Sequence, residues 1–301
     1  MMNWKRRAAA AVAAAVAAAG WTCAPTAAAK TAAPAGPKPA LWKIADEDTK
    51  IYLFGTIHAL PKGLAWRTPA LERALAEADE LVLETVLDET QKGAVAKAAL
   101  AMGIGKDLPP LKERVPAEKR AELAKLIAVS GAPEKALDRM ETWAATHVLM
   151  ASSMKRLGAD AAEGVERRLA GGSAKPVSGL ETVEQQLGFL DQLSEGAQRA
   201  LLVSALEDPV STKAQFQDMV KAWAAGDTDA IARTFDDETM LSPELRKVLM
   251  TQRNAVWADW LQQRLAKPGT VMVAVGAGHL AGRDSVQAML AAKGLKAERV
   301  Q

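Results

Sequence analysis

Apolar and polar positions alternate along the chain in patterns that predict strands near both ends and helices between them. From Leu41, "LWKIADEDTKIYLFGTIH" predicts two short strands joined by the polar turn "ADEDTK", a hairpin-like start. "LVLE", ending at Glu84, and "KPVSGLE", ending at Glu181, predict two further short strands. The run "VMVAV", Val271 to Val275, is continuous and rich in β-branched residues, which is typical of a strand buried on both faces.

Helical periodicity fills the stretches between these strands. "PALERALAEADE" opens with Pro69 and repeats apolar residues at helical spacing. Residues from about 90 to 170 predict a helical insertion, and helices resume from 182 to about 266. "KAERV" at the end predicts a last edge strand. We therefore expect an α/β fold with a central mixed sheet flanked by helices.

The first forty residues predict export rather than core structure. "MMNWKRR" is basic, "AAAAVAAAVAAAG" is apolar but short for a membrane span, and a small-residue site follows. We read residues 1–29 as a cleavable signal peptide, 30–40 as a Pro/Ala linker and 41–301 as the folded domain. This predicts a periplasmic or secreted protein without a stable membrane span after cleavage. A disordered Ala-rich tail or a lipid anchor at Cys23 are the alternatives.

Composition narrows the classes of partner and site. A formal net charge of +2 gives no broad basic surface, so we expect no nucleic-acid partner. Cys23 is the only cysteine and lies within the predicted signal. The mature protein would therefore contain no disulfide and no cysteine metal ligand.

Histidine and glutamate follow the predicted strands in a repeated setting. His58 ends "IYLFGTIH" and His279 ends "VMVAVGAGH". Two of the three histidines are therefore the last residue of a G-x-x-H motif at the end of a predicted strand. Glu84 and Glu181 also end predicted strands. Ligands bind at the carboxyl ends of strands in open α/β sheets, so these side chains would converge on one pocket. The glycines would permit unusual backbone angles and close approach of the backbone to a ligand.

Two histidines and a glutamate form a reasonable open metal site. Zinc, manganese, cobalt or iron would accept such donors, and a second carboxylate would act as the base toward bound water. Without a metal, the same residues could perform acid–base hydrolysis. Each histidine could also simply hydrogen-bond to loop backbone. Arg253 could contact an anionic substrate group or pair with a site carboxylate, and His147, in an apolar helix, is expected to be a core residue.

Several segments together resemble the TraB/GumN family, which is related to the Tiki proteins. The matching segments are "LWKI", "YLFGTIH", "LVLE", "KPVSGLET", an "RN" helix start and "VAVGAGHLAGRDSV", covering about residues 41–300. The resemblance implies an α/β core shared with erythromycin esterase and ChaN-like proteins. One departure is "LETVLDE" after the third strand, where the family often has "ELD".

The resemblance also implies a metal-dependent hydrolase. Residue by residue, it implies His58, Glu84 and His279 as the site, and Glu181 and Arg253 also match its motifs. We expect His58, His279 and Glu84 to bind zinc, manganese or cobalt, and Glu84, Glu181 and Arg253 to be the catalytic groups. We accordingly expect an exported hydrolase of peptide or amide bonds, with a peptide or small-molecule substrate. The alternative is a non-catalytic periplasmic binding protein for a small molecule, a peptide or haem.

Overall fold

A mixed six-stranded sheet forms the centre of the protein. The computed structural model describes residues 36–86, 92–206, 209–236 and 241–301. The strands are β1 Leu41–Ala45, β2 Thr49–Thr56, β3 Glu80–Leu83, β4 Val177–Gly179, β5 Gly269–Gly276 and β6 Glu298–Arg299. Their order is β4-β3-β5-β2-β1-β6. The first four in this order run parallel, and β1 pairs antiparallel with both β2 and β6.

Thirteen α-helices are described around this sheet. They are α1 Pro69–Glu77, α2 Lys92–Gly103, α3 Arg120–Ser130, α4 Glu134–Asp138, α5 Thr142–Arg156, α6 Val165–Gly171, α7 Val183–Asp191, α8 Glu195–Ser204, α9 Pro209–Ala225, α10 Thr228–Asp236, α11 Pro243–Arg246, α12 Gln252–Leu265 and α13 Val286–Ala292. A π-helical turn, Lys247–Thr251, joins α11 to α12. None of the described helices is long and apolar enough to cross a membrane.

Local sequence explains where several helices begin. Thr68 caps α1 through its side chain, with Pro69 at the first position. Thr182 and Gln185 form a reciprocal capping box at the start of α7. Ser194 and Ser242 cap α8 and α11 through side-chain oxygens that accept hydrogen bonds from Ala197 N and Leu245 N. The stretch that periodicity predicts as nearly continuous helix is therefore divided into several shorter helices.

The two faces of the sheet have separate apolar cores. Along β2, Ile51 and Leu53 join a cluster that includes Leu261 of α12, whereas Tyr52 and Phe54 join a cluster with residues of α1 and α9. This alternation follows from the two-residue repeat of a strand. Both faces are covered, which explains why β2 and β5 are apolar almost throughout.

Helices between β3 and β4, together with α8, which follows β4, build a further core. Side chains of α3, α5 and α8 meet in this third cluster, which contains Leu111, Val115, Leu123, Leu137, Ala145, Leu149, Leu202 and Leu206. His147 of α5 does not join it and is exposed to solvent. The prediction of a core histidine at this position is therefore wrong, because its side of the helix faces outward.

The α/β class, the mixed sheet, the opening hairpin and the edge position of the last strand agree with the sequence prediction. The relation to erythromycin esterase and ChaN-like proteins stays a prediction. The predicted signal peptide and most of the predicted linker lie outside the described residues.

Candidate functional site

Strand register brings the predicted site residues to one edge of the sheet. Thr56 of β2 is opposite Gly276 of β5, and Leu83 of β3 is opposite Ala274. Because these strands are parallel, the residues that follow them leave the sheet at the same edge. Glu84 and His279 meet there, although they are far apart in the sequence.

A buried arginine joins two glutamates at this edge. Arg253 of α12 donates from Nη2 to Glu84 Oε2 at 2.7 Å and to Glu181 Oε2 at 2.8 Å. Its Nε donates to Glu181 Oε1 at 2.8 Å, so the pair with Glu181 is bidentate. The three side chains are only 5–10% exposed. Burial makes the pairing obligatory, since an unpartnered charge there would be costly.

His279 completes this network as a neutral ring. Arg253 Nη1 lies 3.2 Å from His279 Nε2, and Asn254 Oδ1 lies 2.6 Å from His279 Nδ1. A guanidinium donates only, so Nε2 must accept and the ring proton is assigned to Nδ1. Asn254 Nδ2 donates to Asp284 O at 2.7 Å, which turns its Oδ1 toward the histidine.

The two pKa values follow from this arrangement. Burial and the Arg253 charge lower the pKa of His279 to about 4, against the attraction of Glu84. Burial alone would raise the pKa of Glu84, but its interactions with His279, Arg253 and His58 and the hydrogen bond from Gly276 N together hold it below its usual range. Because His279 is neutral near pH 7, Arg253 is the close cation that keeps Glu84 ionised.

An unusual helical turn helps to position the side chain of Arg253. The π-helical turn directly precedes α12, and Arg253 Nη1 donates to the carbonyl of Leu249 within that turn at 3.1 Å. Such turns are rare and frequently lie at functional sites. The guanidinium also lies over the rings of Trp257 (4.7 Å) and Phe189 (5.4 Å). Trp257 Nε1 donates to Glu181 Oε1 at 3.0 Å, so the tryptophan holds both partners.

The first glycine of each G-x-x-H motif permits close approach of backbone. Gly276 N donates to Glu84 Oε1 at 2.6 Å, and a Cβ on Gly276 would lie 3.0 Å from the same oxygen. A Cβ on Gly55 would lie 3.2 Å from both Cα and Cβ of Ala277. Gly276 has φ −49°, an ordinary value. The expected need for unusual angles is therefore wrong at Gly276, and space is the reason for a glycine there.

His58 does not contact the buried network. Its Nδ1 lies 2.8 Å from Glu166 Oε1, on α6, and its side chain is 74% exposed. The hydroxyl of Thr56, which is buried, donates to the same carboxylate oxygen. The hydrogen bond from His58 to Glu166 and the negative charge of that carboxylate raise the histidine pKa to about 9. The charge of Glu84 also raises this pKa, and that of Arg253 lowers it.

Sequence reasoning missed several residues of this site. Glu166 has no motif around it that indicates a role, because its position depends on how α6 packs. Asn254 was contained in the "RN" segment, and its position beside Arg253 was its only signal. Gln186 donates to both Glu84 Oε2 (3.4 Å) and Glu181 Oε2 (3.2 Å) and lies in the polar start of α7.

As they are arranged, the donors do not fit the divalent metal that the sequence predicts. His279 directs Nε2 at Arg253, both Glu181 oxygens accept two hydrogen bonds each, and His58 is turned to Glu166. A cation at Glu84 would also face the Arg253 charge. Among the described residues, no group of three His, Cys, Asp or Glu side chains is placed to hold a metal.

An open pocket of about 440 Å³ lies beside Glu181. Thr85, Val86 and residues 179–185 line it, so it belongs to the β4 side of the sheet edge. His58 and His279 do not line it, and the pocket therefore does not by itself define where a substrate would react.

The fold and site define an α/β protein with a buried arginine–carboxylate–histidine network at the carboxyl edge of its parallel strands. The chain belongs to the TraB/PrgY/gumN family, whose family model matches residues 40–299. It is similar to the uncharacterized protein YbaP of Escherichia coli (strain K12), with 29% identity over 79% of this chain and 87% of the relative. YbaP of Shigella flexneri matches with the same identity and coverage. No solved structure matches significantly.

Proposed function

We propose that this protein is an exported hydrolase of peptide or amide bonds that works by acid–base chemistry without a bound metal. The observation that supports it most strongly is that a candidate base, Glu84, and a candidate acid, His58, both follow strands that end at the same edge of the sheet. Glu84 is a buried, ionised carboxylate, and His58 is a solvent-open imidazole held by a second carboxylate. Pairs of titratable groups whose environments separate their pKa values are typical of acid–base catalysis.

In this proposal Glu84 is the general base. Among the described residues, its Oε1 accepts a hydrogen bond from Gly276 N, and His279 Nε2 lies 3.8 Å away. Oε2 is occupied by Arg253 and Gln186. Oε1 is therefore the oxygen that accepts a proton from the attacking water, whose oxygen forms the new bond to the carbonyl carbon.

His58 is the general acid. Its raised pKa keeps the ring protonated near neutral pH, and Nδ1 is turned to Glu166, so Nε2 carries the proton that can leave. When the carbon–nitrogen bond breaks, the leaving amine takes this proton from Nε2. Glu84 thus accepts one proton and His58 donates one, and the products are a carboxylic acid and an amine.

Arg253 supplies fixed positive charge beside the reacting carbonyl and keeps Glu84 ionised. Glu181 holds the guanidinium by its bidentate contact, and His279 contacts its Nη1. Preorganised charge of this kind stabilises the developing oxyanion without reorganisation during the reaction. A metal is not required in this scheme, because the guanidinium carries the positive charge.

Export is part of the same proposal and is supported by the basic segment and short apolar run of residues 1–29. Fractionation of cells that express the full chain, with detection by an antibody to the mature domain, tests it. We expect a shortened protein in the periplasm or medium. Full-length protein in the cytosol would contradict export.

The activity is tested by incubating the mature protein with a peptide library, with and without a chelator. We expect cleavage that survives the chelator and is lost in Glu84→Gln and His58→Gln. Glu163→Gln is a matched control, because Glu163 lies on the same segment as Glu166 but pairs with Arg168 and not with His58. Saturable peptide binding without cleavage would overturn the hydrolase and support the binding-protein alternative.

A further inference from the structure

Glu166 is the residue that sequence gives no reason to select and that the structure places against His58. Its Oε1 is 2.8 Å from His58 Nδ1, and its side chain is 16% exposed, whereas that of His58 is 74% exposed. One ring nitrogen is thus turned to the protein, and the ring itself remains open to solvent. A carboxylate that orients an imidazole in this way is a recurrent feature of proton-transferring histidines.

The backbone holds α6 so that Glu166 reaches the ring. Val165 N donates to Ile57 O at 3.0 Å, directly before His58. Gly164 lies so close to His58 that a Cβ would be 2.2 Å from the His58 carbonyl oxygen. A side chain at position 164 would therefore push the helix start away. Leu60 and Asp160 also pair across the same two segments, with mutual backbone hydrogen bonds of 3.1 and 3.3 Å.

A second contact fixes the carboxylate itself. The Thr56 hydroxyl, at the end of β2, donates to the Glu166 oxygen that faces His58. Thr56 is buried and belongs to the sheet, so it offers a rigid donor. The order of contacts is therefore sheet hydroxyl, helix carboxylate and histidine ring. Each group is oriented by the more buried one behind it.

We propose that Glu166 is the positioning residue of His58, which it holds by Nδ1 so that Nε2 faces the open edge of the site. Thr56 fixes Glu166 in turn. The inference concerning the ring stands on geometry alone, and its catalytic consequence rests on the proposed function. Glu166 itself does not touch the substrate in this scheme.

Histidine ¹⁵N spectra of the mature protein test the ring directly, and they need no substrate. The chain has only three histidines, so His58→Asn and His147→Asn assign the signals. In the wild type we expect Nδ1 of His58 to stay protonated as pH rises, and Nε2 to lose its proton. In Glu166→Ala we expect the neutral ring to carry its proton mainly on Nε2, as an unpaired histidine does. Identical His58 spectra in the two proteins would overturn the proposal.

A second variant keeps the test valid if Glu166→Ala folds poorly. Thr56→Val removes the hydroxyl at nearly constant volume, and we expect it to weaken the preference for protonated Nδ1. Unchanged His279 signals verify that the buried network is intact in each variant. Glu163→Gln is the matched control and should leave the His58 spectrum as in the wild type. A change in that control equal to that of Glu166→Ala would show that the effect is not specific and would overturn the assignment.

Kinetics separate this inference from the proposed function. If the protein cleaves peptides, Glu166→Ala should lower kcat by up to roughly 100-fold with little change in KM, because a positioned general acid contributes about 10²- to 10⁴-fold, and Glu166→Asp should restore part of the loss. If no peptide is cleaved, the proposed function fails while the spectra still decide the role of Glu166. An unchanged kcat in Glu166→Ala would overturn its catalytic consequence.

Discussion

Arg253 reaches Glu84 across 169 residues of sequence and donates a 2.7 Å hydrogen bond to its Oε2. The contact is buried and shared with Glu181, so neither carboxylate depends on solvent for its partner. This pairing explains both the ionisation of Glu84 and the poor fit of a metal at the same position.

Removal of the guanidinium should be severely destabilising. Arg253→Met leaves two buried carboxylates without their cation, and we expect a loss of about 3–5 kcal/mol in the free energy of unfolding. Urea denaturation measures it. Arg168→Met is the control, because its partner Glu163 lies in a partly exposed pair worth below about 1 kcal/mol. Equal effects of the two substitutions would contradict the buried role of Arg253.

Stability should fall as the pH drops toward the lowered pKa of His279. The unfolded ring binds a proton below its ordinary pKa of 6.5, whereas the folded ring resists protonation until about 4. Since the unfolded state binds more protons in this window, the free energy of unfolding decreases as pH falls through it. Denaturation curves at several pH values should show that the free energy of unfolding depends less steeply on pH in His279→Gln than in the wild type. Parallel slopes in both proteins would rule out a buried neutral His279.

A methyl group at Gly276 should disturb Glu84. The added Cβ would lie 3.0 Å from Glu84 Oε1, which already accepts the Gly276 N–H. We expect Gly276→Ala to lose about 1–3 kcal/mol of stability, together with any activity. Gly196→Ala in α8 is the comparison, because its added carbon makes only an ordinary contact at 3.8 Å. Thermal unfolding of both variants checks this, and a neutral Gly276→Ala would refute the packing argument.

The purified mature protein should contain little metal. Arg253 and the other hydrogen-bond donors occupy the groups that a divalent ion would need, so elemental analysis should find well below one equivalent of zinc, manganese or cobalt. Arg253→Met tests this explanation. Removing the guanidinium frees His279 Nε2 and two carboxylates, so this variant should bind more metal than the wild type. One tightly held equivalent in the wild type, lost in His279→Ala, would establish the metal site that the sequence predicts.

Peptide cleavage should decline in alkaline solution as His58 loses its proton. The pKa of His58 is raised to about 9 by the hydrogen bond to Glu166, so kcat should fall as pH rises through this value. In Glu166→Gln the decline should begin at lower pH, since the charge that holds the proton is gone. A pH–rate profile that is unaffected by this substitution would argue against His58 as the acid.

The sequence predicts the part of the site that depends on strands. His279 and Glu84 directly follow apolar runs, and parallel pairing then brings strand ends together by register. The sequence identifies Arg253 as a candidate but does not predict where its side chain points, because nothing in "KVLMT" indicates the π-helical turn before it. The contact between His58 and Glu166 was beyond prediction, since it depends on how α6 packs against the segment after β2. Local periodicity contains no information on such packing.

The place of β5 in the sheet determines when the site can exist during synthesis of the chain. This strand begins at Gly269, yet it lies between β2 and β3, which are made far earlier. A nascent chain that lacks β5 has two strands without their common neighbour, and neither the Gly276 N–H nor His279 is available to Glu84. The buried network therefore cannot assemble until synthesis has passed His279.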